Sequence, residues 1–216
     1  MAMPNGSPGL RESKKQRTHQ HLAETALRLF LAHGFDAVSV ADVAAAAEVS
    51  KPTLFRYFAG KEDLVLCRFA DHQDEAARIV RARATGATPV RALHEHFLAA
   101  LRDHDPITGL CDSPEVVAFQ HLLYSTPALQ SRLQHYTDRE IELLTEALRP
   151  AAPDGLSARL AACHLVTVRH ELGQQNWHRI AAGRLAAAVL PEALADADRA
   201  FGMLSGGLDD CFQQRG

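Results

Sequence analysis

An all-α fold is what this sequence predicts, and three observations predict it. Alanine and leucine are abundant while runs of β-branched residues are missing. Apolar residues recur at three- and four-residue spacing along the segments. Breakers gather at Gly34, Thr85 to Pro89, Asp105 to Pro114, Ser125 to Pro127, Pro150 to Gly155 and Pro191, and what lies between them has the length of helices. With 216 residues, 47% of them hydrophobic and 23% charged, such helices bury a core without disulfide or metal staples. The four cysteines are scattered, with no C-x-x-C pair, and no cofactor is indicated. The longest apolar run, Leu185 to Leu190, is far short of the ~18 residues a membrane span needs, and the N-terminus lacks the apolar core of a signal peptide. The expectation is a cytoplasmic protein with no membrane partner.

The elements follow in order. Residues 1–10 carry Pro4, Gly6, Ser7, Pro8 and Gly9 and read as a disordered arm. Lys14, Lys15 and Arg17 then precede a helical pattern in which Leu22, Ala26 and Leu29 or Phe30 recur, ending at Gly34 as at a left-handed C-terminal cap. Ser39 reads as the N-cap of a short helix through Ala46, and Ser50 as the N-cap of the next, with Pro52 in its first turn. A longer helix is expected from Lys61 to about Ala84, its apolar face holding Leu64, Phe69, Ala76 and Val80. Further amphipathic helices follow, the last two running from Gly155 to about Ala182 and from Pro191 to about Phe212. The organisation expected is an arm over 1–10, a small helical domain over 11–60 and a larger helical domain over 61–216.

Charge divides the same way. Residues 1–61 hold eight Lys and Arg against five Asp and Glu, a balance of +3, whereas the remainder is at -6. A basic first quarter on an acidic body points to an anion such as nucleic acid as partner of that quarter. Its core is the stretch from Gly34 to Phe58 and on through Gly60, Lys61 and Leu64. Val40, Val43, Ala44, Ala47, Val49, Leu54 and Phe58 supply a seam between two short helices joined by a tight turn, leaving Lys51, Thr53, Arg56 and Tyr57 for the outer face. That is the physics of a helix-turn-helix, whose second helix fits the roughly 12 Å major groove.

The Gly-Phe stop, the Ser-Val entry, the Val-Ala pair, the Val-Ser turn, Thr-Leu-Phe and Tyr-Phe at these spacings resemble the DNA-binding region of the TetR family of transcriptional regulators, over about residues 11–66. The resemblance implies that Ser39 and Ala41 enter the second helix close to DNA, with Ser39 on a phosphate, and that Lys51, Pro52, Thr53, Arg56 and Tyr57 occupy the recognition helix. Arg56 and Lys51 have donors for guanine edges, Thr53 a methyl for thymine, and Tyr57 and Lys61 suit phosphates. Lys14 and Arg17 would add phosphate or minor-groove contacts. Two residues depart from the pattern. Phe55 stands where many members have tyrosine, so a hydroxyl is missing there. Glu48 replaces the turn glycine, at a cost of roughly 1 to 2 kcal/mol if the left-handed conformation is kept.

Beyond residue 66 the resemblance weakens and the residues are read by themselves. On the Gly155 helix Ala161, Leu165, Val168 and Leu172 line one face, and Leu194, Ala197, Phe201, Leu204, Leu208 and Cys211 follow a heptad-like stripe on the last helix. Each stripe is a candidate homodimer face or intrachain core. Another stripe, Cys163, Thr167, His170, Gln174 and Trp177, mixes apolar surface with hydrogen-bonding groups. With Phe97, Leu101, Phe119, Leu123 and Tyr136 it forms a candidate pocket for a small-molecule effector, or else an ordinary bundle core. His94-x-His96 faces two ways along a helix, so no metal site is assigned. The expected function is a homodimeric repressor released from a palindromic operator by a small molecule. The alternatives are a metal or redox sensor, or an all-α enzyme that retains the motif structurally; no G-x-S-x-G elbow or P-loop supports catalysis.

Overall fold

Capping chemistry written in the sequence sets the first helices. In the computed structural model, which describes the backbone of residues 10–213 and the side chains of 13–70 and 72–207, α1 spans Leu10–His33, α2 Val40–Ala46, α3 Lys51–Phe55 and α4 Lys61–His72. Ser39 and Ser50 cap α2 and α3 as expected, each accepting a backbone N–H three residues on. Lys14, Lys15 and Arg17 do not precede the first helix but lie inside α1. Lysine, arginine and glutamine propagate a helix well, so the N-terminal start needs no apolar residue. The arm expected over 1–10 falls almost wholly outside the described residues.

Two compact units divide the chain, one of residues 1–68 with 122–130, the other of 69–121 with 131–216. In the first, α2 packs on α1 and α3, and Leu22, Ala26, Phe30, Val43, Ala44, Ala47, Leu54 and Phe58 are buried. Val40 and Val49, also assigned to the seam, are half-buried at its edge.

The turn after α2 is a Schellman motif. Glu48 N–H reaches the Ala45 carbonyl at 3.1 Å and Val49 N–H the Ala44 carbonyl at 2.9 Å, with Glu48 at φ 55. A glutamate therefore occupies the left-handed position that favours glycine. Glu48→Gly is expected to raise stability by about 1 kcal/mol, which is about 2 to 4 °C in thermal midpoint for a chain of this size. An unchanged midpoint in a thermal melt would show that no strain resides at the turn.

The second unit holds α5 (Glu75–Ala82), α6 (Pro89–Arg102), a 3-10 turn (Pro106–Thr108), α9 (Gly155–Ala181) and α10 (Ala186–Gln213); α7 (Pro114–Ser125) and α8 (Pro127–Leu148) carry residues of both units. Two expected boundaries are corrected. The helix expected from Lys61 to Ala84 is interrupted at Gln73 and Asp74, where no breaker stands; Gln73 instead donates its Nε2 to the Tyr136 carbonyl at 3.4 Å, a tertiary contact that local sequence does not announce. The last helix begins at Ala186 rather than Pro191, because Asp112 accepts the Ala186 N–H at 2.9 Å and caps it from another segment. Pro191 thus sits within the helix, its ring on the exposed side.

Within this unit α10 packs against α6 and α9 through Ala193, Ala197 and Phe201. Of the stripe residues proposed for dimerisation, Ala161, Leu165, Leu172, Ala197 and Phe201 are buried and Val168, Leu194 and Leu204 half-buried within the chain itself, so these faces are intrachain core; the Leu208 and Cys211 side chains lie outside the described residues. The large apolar side chains left exposed on α9 and α10 are instead Leu156, Leu160 and Met203.

Between α8 and α9 a charged cluster is drawn inward. Glu140 meets Arg169 Nη1 at 2.8 Å and His170 Nε2 at 3.1 Å, and the Glu140 and Arg169 side chains are only 12% and 11% exposed. Burial raises the Glu140 carboxyl, but the His170 hydrogen bond and the Arg169 charge outweigh it and hold the group below its ordinary 4.5. A carboxyl depressed in the folded state contributes stability above its unfolded pKa and loses it as pH falls through the folded value. Arg169→Gln is expected to cost about 2 kcal/mol or more at neutral pH. Urea denaturation should show the gap between wild type and variant narrowing as pH falls below 4.5 and through the folded value; equal stability at neutral pH would contradict the coupling.

Candidate nucleic-acid interface

The candidate recognition surface is assembled from α2, α3 and the start of α1. At about 100° per residue, Pro52 and Arg56 stand opposite buried Leu54, with Thr53 and Phe55 on the two flanks. Exposure agrees: Lys51, Pro52, Phe55 and Arg56 are exposed, Thr53 and Tyr57 half-buried. The Arg56 guanidinium lies 5.5 Å from the Tyr57 ring centroid, so its alkyl stem is directed while its donors stay available.

The capping groups have defined partners. Ser39 Oγ donates to Asp42 Oδ2 at 2.7 Å and accepts the Asp42 N–H at 3.2 Å, while Asp42 Oδ2 accepts the Ser39 N–H at 2.8 Å. This reciprocal box fixes the entry of α2 beside half-buried Ala41. The Ser39 side-chain and backbone hydrogen bonds hold the Asp42 carboxyl below the usual carboxylate range, keeping it ionised. Thr53 Oγ1 lies 2.8 Å from Ser50 Oγ, so its hydroxyl belongs to the cap and its methyl remains for apolar contact.

Lys61, expected on a phosphate, is placed differently from a free surface lysine. Its ammonium sits 4.2 Å from the Phe35 ring centroid and 5.5 Å from that of Phe30. The cation covers the aromatic pair that closes the first helix, at the start of α4. Lys14 and Arg17 are exposed on α1, and His19 on the same helix stacks on Phe58 at 4.4 Å.

The residues of the candidate effector pocket are placed unequally. Phe97, Leu101 and Trp177 are buried in the second unit, Phe119, Tyr136, Cys163 and Gln174 are half-buried, and Thr167 and His170 are exposed, the latter on Glu140. Leu123 is buried within the first unit. Two grooves open on the second unit. One of ≈ 470 Å³ lies along α8 and α9 beside Arg139, Leu143, Arg149 and Arg159, and one of ≈ 350 Å³ lies between α9 and α10 beside Thr167, Glu171, Arg179 and Asp196. Among the described residues no three His, Cys, Asp or Glu gather as metal ligands, and Cys111 and Cys163 are free thiols.

Sequence reasoning passed over Gln120. It is 8% exposed and donates its Nε2 to the Pro106 carbonyl at 3.2 Å, while its Oε1 has no protein partner among the described residues. The signal was present as one amide within the apolar run from Val116 to Leu123.

An exposed, cation-bearing second helix held at a fixed angle on two others defines a helix-turn-helix protein with an all-helical body. Residues 22–66 match the model of the bacterial regulatory proteins of the tetR family. It is 36% identical over 141 residues to the HTH-type transcriptional regulator TcmR of Streptomyces glaucescens, a match covering 65% of this chain and 61% of that one. Over 59 residues it is 42% identical to the putative mycofactocin biosynthesis transcriptional regulator MftR of Mycobacterium tuberculosis, covering 27% of this chain and 30% of that one. The chain therefore matches less than two thirds of the length of these relatives. In fold it is similar to NalD of Pseudomonas aeruginosa, the secondary repressor of the MexAB-OprM multidrug efflux pump, with a TM-score of 0.56 at 19% identity over 86% of this chain and 97% of that one. No helix among the described residues is long and apolar enough to cross a membrane.

Proposed function

We propose that the protein is a homodimeric transcriptional repressor that binds a pseudopalindromic operator in the cytoplasm and is released by a small-molecule effector. One observation supports the DNA-binding part: Arg56 projects from a capped helix on the side opposite buried Leu54, with Lys51 exposed in the first turn of the same helix. The match of residues 22–66 to the tetR-family model supports the same assignment, and the relatives are named as transcriptional regulators. Enrichment of host genomic fragments on the purified protein tests it. A shared sequence with two half-sites about one helical turn apart is the expected result; recovery of fragments without a common sequence would contradict it.

The dimer is assigned to the exposed face of α9 and α10. Leu156 and Leu160 lie one turn apart on α9, and farther along the helix a groove shared with α10 carries Glu171, Arg179, Asp196 and Arg199, a mixture of signs that can complement its own copy about a two-fold axis. Leu160→Glu is expected to shift the protein from dimer to monomer in sedimentation velocity and to lower operator affinity; an unchanged sedimentation coefficient would move the interface elsewhere.

The effector is assigned to the second unit, around Phe97, Leu101 and Trp177. The unpartnered Gln120 oxygen supports an effector that brings a hydrogen-bond donor into an apolar surround. Release from DNA requires differential affinity: whatever factor the effector takes from operator binding, the operator takes from effector binding.

A further inference from the structure

The apolar flank of the recognition helix is unexplained by charge or packing. Phe55 is 51% exposed, whereas every other phenylalanine, tyrosine and tryptophan among the described side chains is buried or half-buried. Its neighbours one turn back, Lys51 and Pro52, and Arg56 beside it are exposed as well, so the ring stands in a cationic surround on the face that meets DNA. It has no hydroxyl with which to meet a phosphate. In the major groove the one apolar group displayed by the base pairs is the 5-methyl of thymine.

We propose that Phe55 packs on the 5-methyl group of a thymine and so selects a T·A pair at one position of each half-site. This rests on the DNA-binding reading above. The exposed ring is unfavourable in the free protein and is relieved only where that methyl is present, which makes it a discriminator rather than a general anchor. A cytosine at the same place offers an amino group that the ring cannot pair and a bare C5 edge. Thr53, on the opposite flank, has its hydroxyl held by Ser50 and would meet a different base.

The test uses duplexes selected from a random-sequence pool by the full-length protein. Each thymine of the selected duplex is then replaced singly by deoxyuracil, which removes the methyl and nothing else, and affinity is read by fluorescence anisotropy. Wild type is expected to lose about fourfold at one position, and about fifteenfold when both half-sites are changed, the size of one buried methyl-sized contact. Phe55→Ala and Phe55→Gln should bind thymine and uracil duplexes equally at that position while keeping the uracil sensitivity of any other. Wild-type indifference to every replacement overturns the proposal, as does sensitivity retained at the same position in both variants. A pool from which the protein enriches nothing overturns the DNA-binding reading itself, and this inference with it. Thermal melts of the variants separate lost contact from lost fold.

Discussion

Arg56→Ala is expected to weaken operator binding by about ten- to a hundredfold while leaving the thermal midpoint unchanged. The magnitude follows from the position: an exposed guanidinium opposite the buried Leu54 anchor has the donors to bond a guanine edge, a contact worth about 1 to 3 kcal/mol. Stability should not move, because Arg56 gives up only a cation-π contact to Tyr57 at a surface site. The substitution should also relax base preference at a single half-site position. Lys51→Ala would provide the contrast if that lysine serves phosphate, since affinity would then fall for all sequences together and the salt dependence would shallow by about one unit. An Arg56→Ala protein with wild-type affinity would remove the recognition helix from the interface.

Gly109→Ala is expected to be the most destabilising single substitution in the helical unit, by about 3 kcal/mol or more, or about 10 °C in thermal midpoint. Two independent costs combine. Gly109 stands at φ 71, a left-handed conformation, and an added Cβ would lie 2.0 Å from the Gly173 carbonyl oxygen, which is backbone and has no side-chain freedom to yield. The turn cannot retreat easily, because Asn176 Nδ2 donates to the Thr108 carbonyl at 2.9 Å and Gln120 Nε2 to that of Pro106 at 3.2 Å. Gly86→Ala is the control: at φ 85, with nothing within 4 Å of the added carbon, it should show the conformational cost alone, about 1 kcal/mol. Equal midpoints for the two variants would mean that the close approach to α9 contributes nothing.

The reading head was legible in the sequence because its structure is local. Ser39 and Ser50 act on N–H groups three residues on, Pro52 acts on its own φ, and successive seam residues sit five or fewer apart. Glu48 was legible for the same reason, since a Schellman turn closes over a handful of residues. Where the sequence misled, the deciding partner lay far along the chain. Asp112 caps a helix that starts at Ala186, and Tyr136 accepts from Gln73 at a break that no glycine or proline marks. Periodicity found the apolar stripes of α9 and α10 but could not say what each stripe packs against. Ala197 and Phe201 turn inward toward this chain's own helices, and the exposed leucines of α9 were left out.

The same limit applies to charge. Lys61 reads as a phosphate ligand by residue type, yet its ammonium stands over Phe35, 26 positions earlier in the chain. Glu140 and Arg169 are ordinary surface residues by composition and become a half-buried pair, with exposed His170 at its edge, only when α8 and α9 are brought side by side. In the sequence Phe55 is only a missing hydroxyl. Its exposure, which gives it a role, comes from the angle at which α3 is held.

The central claim is that the capped helix from Lys51 to Phe55 reads DNA sequence. Its most direct test is fluorescence anisotropy of the purified protein on the duplex upstream of its own gene, across a salt series, beside Arg56→Ala and a scrambled duplex of equal composition. Tight binding with a steep inverse dependence on salt, lost both on scrambling and in the variant, is the predicted result. Equal affinity of wild type and Arg56→Ala for the specific and scrambled duplexes would contradict it.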